Sequence, residues 1–157
     1  MSWEKAIDHL KKYKMEERAV TFEVSSATVA LAAEALQCEP AHIAKTLSFE
    51  AGEGCILVVA AGDRKIDNHK FKEEFGYKAK MLSFEKVEEL IGHGVGGVCP
   101  FGVDCPVYLD VSLQEFDVVY PACGTSSSAV RMTPQELFEV SEAKKWVAVT
   151  KAAENKA

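Results

Sequence analysis

The chain has 157 residues, a formal net charge of −6 and an apolar fraction of 48%. That length suits one domain around one core, and no run of about 18 apolar residues is present to cross a bilayer. The negative balance excludes a broadly basic, phosphate-wrapping surface, so any contact with RNA is expected to be local.

Trp3, Ala6, Ile7 and Leu10 recur at helical spacing, so the chain is expected to open with an amphipathic helix capped by Ser2. Val20 to Val24 reads as a short strand. Ser25 or Ser26 then caps a second helix carrying Val29, Ala32, Ala33 and Leu36 on one face. Ala44 to Glu50 alternates as a strand, Gly52-Glu53-Gly54 turns it, and the apolar run Cys55 to Ala61 reads as a central strand. Asp67 caps a helix that ends at Gly76, and Lys78 to Leu82 is a further candidate strand. Ser83 opens a helix that Gly92 ends. Strands are expected at Pro106–Leu113, Val118–Pro121, Ala129–Met132 and Trp146–Val149. Thr133-Pro134-Gln135-Glu136 is a helix start, with a capping Thr, Pro at the first helical position and Glu three residues after the cap. The expected whole is one α/β domain over residues 1–157, with a curved, mixed, partly antiparallel sheet flanked by helices and a polar tail at 151–157 that frays.

Four places carry candidate chemistry. The stretch Gly92 to Gly102 holds five of the ten glycines, so its main-chain N–H groups can approach a ligand closely. It lacks the Gly-Lys-Ser/Thr of a phosphate loop, and with a helix before it and a strand after it, it is not a dinucleotide fingerprint either. Lys45 enters an apolar strand, where it must snorkel out or meet a polar partner. Gly62-Asp63-Arg64-Lys65 ends the central strand, and Cys123-Gly124-Thr125-Ser126-Ser127-Ser128 is small and hydroxyl-rich. The five cysteines (Cys38, Cys55, Cys99, Cys105, Cys123) are irregularly spaced and follow an N-terminus without signal-peptide character, which points to reduced thiols and a cytoplasmic protein. No cysteine pair has metal-ligand spacing, so no metal and no cofactor is expected. Cys99 near His93 leaves a cysteine hydrolase open as an alternative, and a non-catalytic module binding a small molecule or a synthetase is another.

Lys45 in a strand behind a small-residue helix, Gly-x-x-x-Pro at Gly96–Pro100, and Ala122-Cys123-Gly124 leading to Met132-Thr133-Pro134-Gln135-Glu136-Leu137 occur in one order. That order resembles the YbaK/prolyl-tRNA-synthetase-associated editing domain family over residues 20 to 150. The resemblance implies a barrel-like curved sheet. It also implies a free-standing deacylase that hydrolyses the ester between a wrong amino acid and the 3′ end of a tRNA, typically tRNA for proline. Lys45 would be the essential polar residue, with the backbone at Gly96 and Gly97 holding the reacting carbonyl. Thr46, Val98, Cys99, Pro100, Phe101, Cys123, Gly124, Thr125 and Ser126 would line the substrate pocket. The resemblance implies a small wrong residue such as Ala, Cys, Ser or Thr as cargo; Gly124 to Arg131 lacks the basic and acidic residues that YbaK itself carries there, which fits Ala, Ser or Thr better than Cys. The partners implied are the acceptor end of aminoacyl-tRNA and prolyl-tRNA synthetase, with no membrane and no DNA. Arg64, Lys65 and Lys70, with Lys72, are the candidate tRNA phosphate contacts.

Overall fold

The computed structural model describes residues 2–21, 29–52, 54–91, 98–125 and 127–152. The expected opening helix is α1 (Ser2–Lys11), which buries Ala6 and Leu10. Strand β1 (Ala19–Thr21) follows; the rest of the expected strand, and the Ser25 or Ser26 cap, lie outside the described residues. Next come α2 (Val29–Leu36), β2 (Ile43–Ala51), β3 (Gly54–Ala61), β4 (Arg64–Ile66), α3 (Asn68–Phe75) and α4 (Phe84–Ile91). The chain closes with β5 (Val107–Asp110), β6 (Tyr120–Pro121), β7 (Ser128–Val130), α5 (Pro134–Val140), β8 (Lys145–Val147) and β9 (Thr150–Ala152).

Five strands form one sheet in the order β6-β2-β3-β5-β8. The β2–β3 pair is antiparallel, whereas β6 runs parallel to β2, β5 to β3, and β8 to β5. The sheet is therefore mixed and curled, as expected, and β3 is its middle strand with Cys55 to Ala61 all buried. Side chains of a strand alternate between its two faces. One face of β2 and β3 carries Ala44, Leu57, Val59 and Ala61 into a core shared with α1, α4 and α5. The other carries Phe49, Ile56 and Val58 against Phe71 of α3 and against Val147 and Val149. Two antiparallel ribbons, β1–β7 and β4–β9, complete the β-structure among the described residues.

Local chemistry explains the element ends. The Asp67 side chain accepts from the backbone N–H of His69 and Lys70, and Gly76 closes α3 at φ +85°, in the left-handed region that favours glycine. Thr133 and Glu136 form the reciprocal capping box at α5, and Glu136 also pairs with Arg18 at 2.6 Å.

Three expectations change. The strand expected over Pro106–Leu113 stops at Asp110, because the Asp110 carboxylate accepts from Ser112 N–H and winds Val111–Glu115 into a 3₁₀ turn. Lys78 to Leu82 does not form a regular strand. It lies along β2 through a single bridge between Met81 and Phe49, with Glu50 N–H donating to Lys80 O. The tail does not fray at its start: Lys151 and Ala152 belong to β9, paired with Lys65 and Arg64 of β4.

Gly62 is closely enclosed by its neighbours. A Cβ there would lie 2.2 Å from the Pro40 carbonyl oxygen and 2.8 Å from Val29 Cγ1. Because the first obstacle is backbone, Gly62→Ala is expected to lose about 2 kcal/mol of stability. Chemical denaturation checks this, and an unchanged midpoint would contradict it.

Candidate functional site

Lys45 sits opposite Ala60 in the β2–β3 register, on the side of β2 that also carries Leu47 and Phe49. It is half-buried, and its ammonium donates a hydrogen bond to the backbone carbonyl of Arg64. A charged lysine so placed loses hydration. Burial therefore pulls its pKa below the ordinary lysine value, opposed by the nearby Asp63 carboxylate. Of the two possibilities open for a lysine in this strand, the structure shows the polar partner.

The carbonyl that receives Lys45 is itself held. Arg64 Nε donates to Thr150 Oγ1 and Nη2 to Thr150 O, both at 3.1 Å. Thr150 Oγ1 in turn donates to Asp110 Oδ2 at 2.7 Å. The Asp110 side chain is 1% exposed and also accepts from Ser112 N–H and Val149 N–H. Neither Asp110 nor Thr150 is among the residues singled out from sequence. The one local sign was an acid closing the apolar run Val107-Tyr108-Leu109. Arg64, expected on tRNA phosphate, is turned inward by this bonding. Lys65 and Lys70 are exposed, and Lys65 faces Lys151 across the β4–β9 ribbon.

Thr46 points to the opposite side of β2 from Lys45 and pairs with Val59. Its hydroxyl oxygen is buried and finds no hydrogen-bond partner among the described residues. Strand β6 runs parallel to β2 with Pro121 beside Ala44, which carries Ala122 and Cys123 on toward the level of Lys45 and Thr46.

The segments 98–101 and 123–125 meet. Cys99 Sγ–H donates to Phe101 O at 3.9 Å, and Gly124 N–H donates to the Cys99 sulfur. Cys99, Phe101 and Cys123 are each fully buried and Pro100 is buried, while Val98 is partly buried against the same core. Ser128, also buried, ties the Cys123–Ser128 turn: its Oγ accepts from Cys123 N–H and Thr125 N–H and donates to Thr125 O. Gly124 has φ +90°, so glycine is needed at that reversal. Gly96, Gly97 and Ser126 lie outside the described residues.

Burial pushes the Cys99 thiol up to about 12, and does the same at Cys123. A thiolate is the nucleophilic form, so neither is poised to attack near neutral pH. Cys99→Ala is expected to keep hydrolytic activity within about twofold while losing about 1 kcal/mol of stability from the vacated volume. Complete loss of activity in a folded variant would restore the cysteine-hydrolase alternative. Among the described residues no group of three or more His, Cys, Asp or Glu side chains could hold a metal ion.

The sequence model of the aminoacyl-tRNA editing domain matches residues 23–140. The chain belongs to the aminoacyl-tRNA editing domain family. The match includes Lys45, Arg64 and Asp110 but stops short of Thr150. Among its relatives in this family the uncharacterized Bacillus subtilis protein YwhH is 50% identical over 154 residues, covering 96% of this chain and 98% of that protein. A proline–tRNA ligase of Lysinibacillus sphaericus is 30% identical over 111 residues, covering 68% of this chain and 20% of the ligase. In three dimensions the editing domain matches a candidate trans-editing enzyme for prolyl tRNA synthetase, with TM-score 0.87, 28% identity and coverage of 96% and 98% of the two chains. A hypothetical protein, APE2540, matches with TM-score 0.78, 26% identity and coverage of 91% and 99%. No helix among the described residues is long and apolar enough to cross a membrane.

Proposed function

We propose that the chain is a trans-editing aminoacyl-tRNA deacylase acting in the cytoplasm on mischarged tRNA, with tRNA for proline carrying Ala, Cys, Ser or Thr as its substrate class. The observation that carries this reading is the editing-domain match through the whole segment holding Lys45 and the Cys99–Gly124 contact. The near end-to-end likeness to a candidate trans-editing enzyme supports a free-standing mode of action, with prolyl-tRNA synthetase as the functional partner.

The chemistry asked of the protein is modest, because an aminoacyl ester is already activated. Water adds to the ester carbonyl carbon, the bond to the ribose oxygen breaks, and the proton from water ends on that oxygen. The Lys45 ammonium, poorly hydrated and therefore a strong electrostatic partner, holds the ester end or the terminal nucleotide by charge-assisted hydrogen bonds. Backbone N–H groups at Gly96 and Gly97 are assigned the developing oxyanion. The Thr46 hydroxyl, buried without a partner among the described residues on the face of β2 opposite Lys45, is assigned a polar substrate atom apart from the one Lys45 holds. Val98, Cys99, Pro100 and Phe101, with Cys123, Gly124, Thr125 and Ser126, are assigned to the pocket wall. Incubation of the purified chain with alanyl-, cysteinyl-, seryl- and threonyl-tRNA for proline tests the reading. Four intact esters would leave the non-catalytic module as the better description.

Lys65 and Lys70 are assigned to tRNA phosphates, joined by Lys151. Two like charges directly opposite in an antiparallel ribbon repel, and a polyanion relieves that cost. Replacing Lys65 and Lys151 together by Gln is expected to lower the slope of log affinity against log salt for tRNA by about two units, about one per phosphate contact. An unchanged slope would place the tRNA elsewhere.

A further inference from the structure

Lys45 is held by a backbone carbonyl, an acceptor that any residue could supply, yet the residue supplying it is locked by three more groups. The path runs from Lys45 Nζ to Arg64 O, from the Arg64 guanidinium through two hydrogen bonds to Thr150, and from the Thr150 hydroxyl to the buried Asp110 carboxylate. Asp110 is anchored in turn by Ser112 N–H and Val149 N–H. These links join β2, β4, β5 and β9, and the β9 link lies beyond the segment matched by the editing-domain family. We infer that Thr150 and Asp110 are positioning residues, which through Arg64 fix the carbonyl that sets where the Lys45 amine sits.

Strand β4 is three residues long and paired only with β9 among the described residues. Ile66 packs against the core and all three residues pair with β9, so the clamp acts at the Arg64 end of β4. Release of Arg64 lets the 63–64 backbone relax, and the lysine stem then carries its amine toward water. The charged groups nearby are Asp63 and Arg64 on the turn and β4, Lys70 on α3, whose ammonium lies 3.4 Å from Thr150 O, and Asp110 at the end of β5. Only burial draws the Lys45 pKa down, and Asp63 already opposes it, so exposure moves it upward.

This role rests on the deacylase reading, but its geometry does not, and the test separates the two. Lysine is labelled with carbon-13, the Lys45 Cε resonance is identified by its loss in Lys45→Met, and its titration is followed in wild type, Thr150→Val and Thr150→Ser. The expected result is an upward shift of the Lys45 titration in Thr150→Val and a wild-type curve in Thr150→Ser, which keeps the hydroxyl. In deacylation, kcat of Thr150→Val is expected to fall about 10- to 100-fold with KM nearly unchanged, the signature of a misplaced group, and Thr150→Ser is expected to recover it. Should Thr150→Val not fold, Arg64→Lys keeps the charge but cannot make the two bonds to Thr150, with the same shift expected. A Lys45 titration identical to wild type in a folded clamp variant would overturn the inference. A wild-type protein that cleaves no ester would instead remove the deacylase reading and leave the titration to decide the positioning role.

Discussion

Lys45→Met is expected to reduce deacylation by at least about 100-fold, the usual consequence of removing one preorganised electrostatic contact from a site of ester hydrolysis. The same substitution is expected to leave stability within about 1 kcal/mol of wild type. These two expectations come from one fact. The amine lies against the Arg64 carbonyl in a place where burial disfavours its charge, so the folded state bears a desolvation cost at Lys45 that a methionine of similar length does not. Loss of the hydrogen bond and relief of that cost oppose each other. A residue retained for structure would show the reverse pattern, with stability falling and activity following it. Thermal or urea unfolding beside a deacylation rate separates the two cases.

Asp110→Ala is expected to be the most destabilising single substitution in the molecule outside its apolar core, at about 3–5 kcal/mol. Three donors lose their acceptor at once: Ser112 N–H, Val149 N–H and the Thr150 hydroxyl. Each buried donor left unpaired costs about 1–3 kcal/mol, and water reaches this site poorly. The loss spreads beyond the pocket, because the same carboxylate starts the 3₁₀ turn at Val111–Glu115, which sends Ser112 Oγ to accept from Ala61 N–H. Asp110→Asn is expected to cost less, since its carbonyl oxygen still accepts one or two of the three bonds. Urea unfolding of the two variants checks the order. Equal midpoints for Asp110→Ala and wild type would remove Asp110 from the framework.

Much of the framework is legible in the sequence where the determinants are local. The Thr133–Glu136 box, the Asp67 cap, the Gly76 stop and the apolar run of β3 each lie within a few residues of the structure they specify. Lys45 is legible for a similar reason, since a lysine inside an apolar strand asks for a partner. The partner itself is not legible. Arg64 and Thr150 are 86 residues apart and Thr150 and Asp110 are 40 apart, so only the completed sheet brings them together. Strands β4 and β9 are three residues long and mostly polar, without the alternation that marks a half-buried strand. Read as composition, Lys151 and Ala152 look like a tail; paired with β4, they help hold the carbonyl under Lys45. The small hydroxyl-rich segment at Cys123–Ser128 is legible as a turn, but the residue that shapes it, Ser128, is recognisable only from its three hydrogen bonds.

The most direct test is a single-turnover measurement of ester cleavage on tRNA for proline mischarged with Ala, Cys, Ser or Thr, using wild type and Lys45→Met at matched concentration. The expected result is cleavage of at least one of these esters by wild type, sparing of the correctly charged prolyl-tRNA, and loss of that cleavage in folded Lys45→Met. Cleavage at the wild-type rate by Lys45→Met, or no cleavage of any of the four esters by wild type, would contradict it.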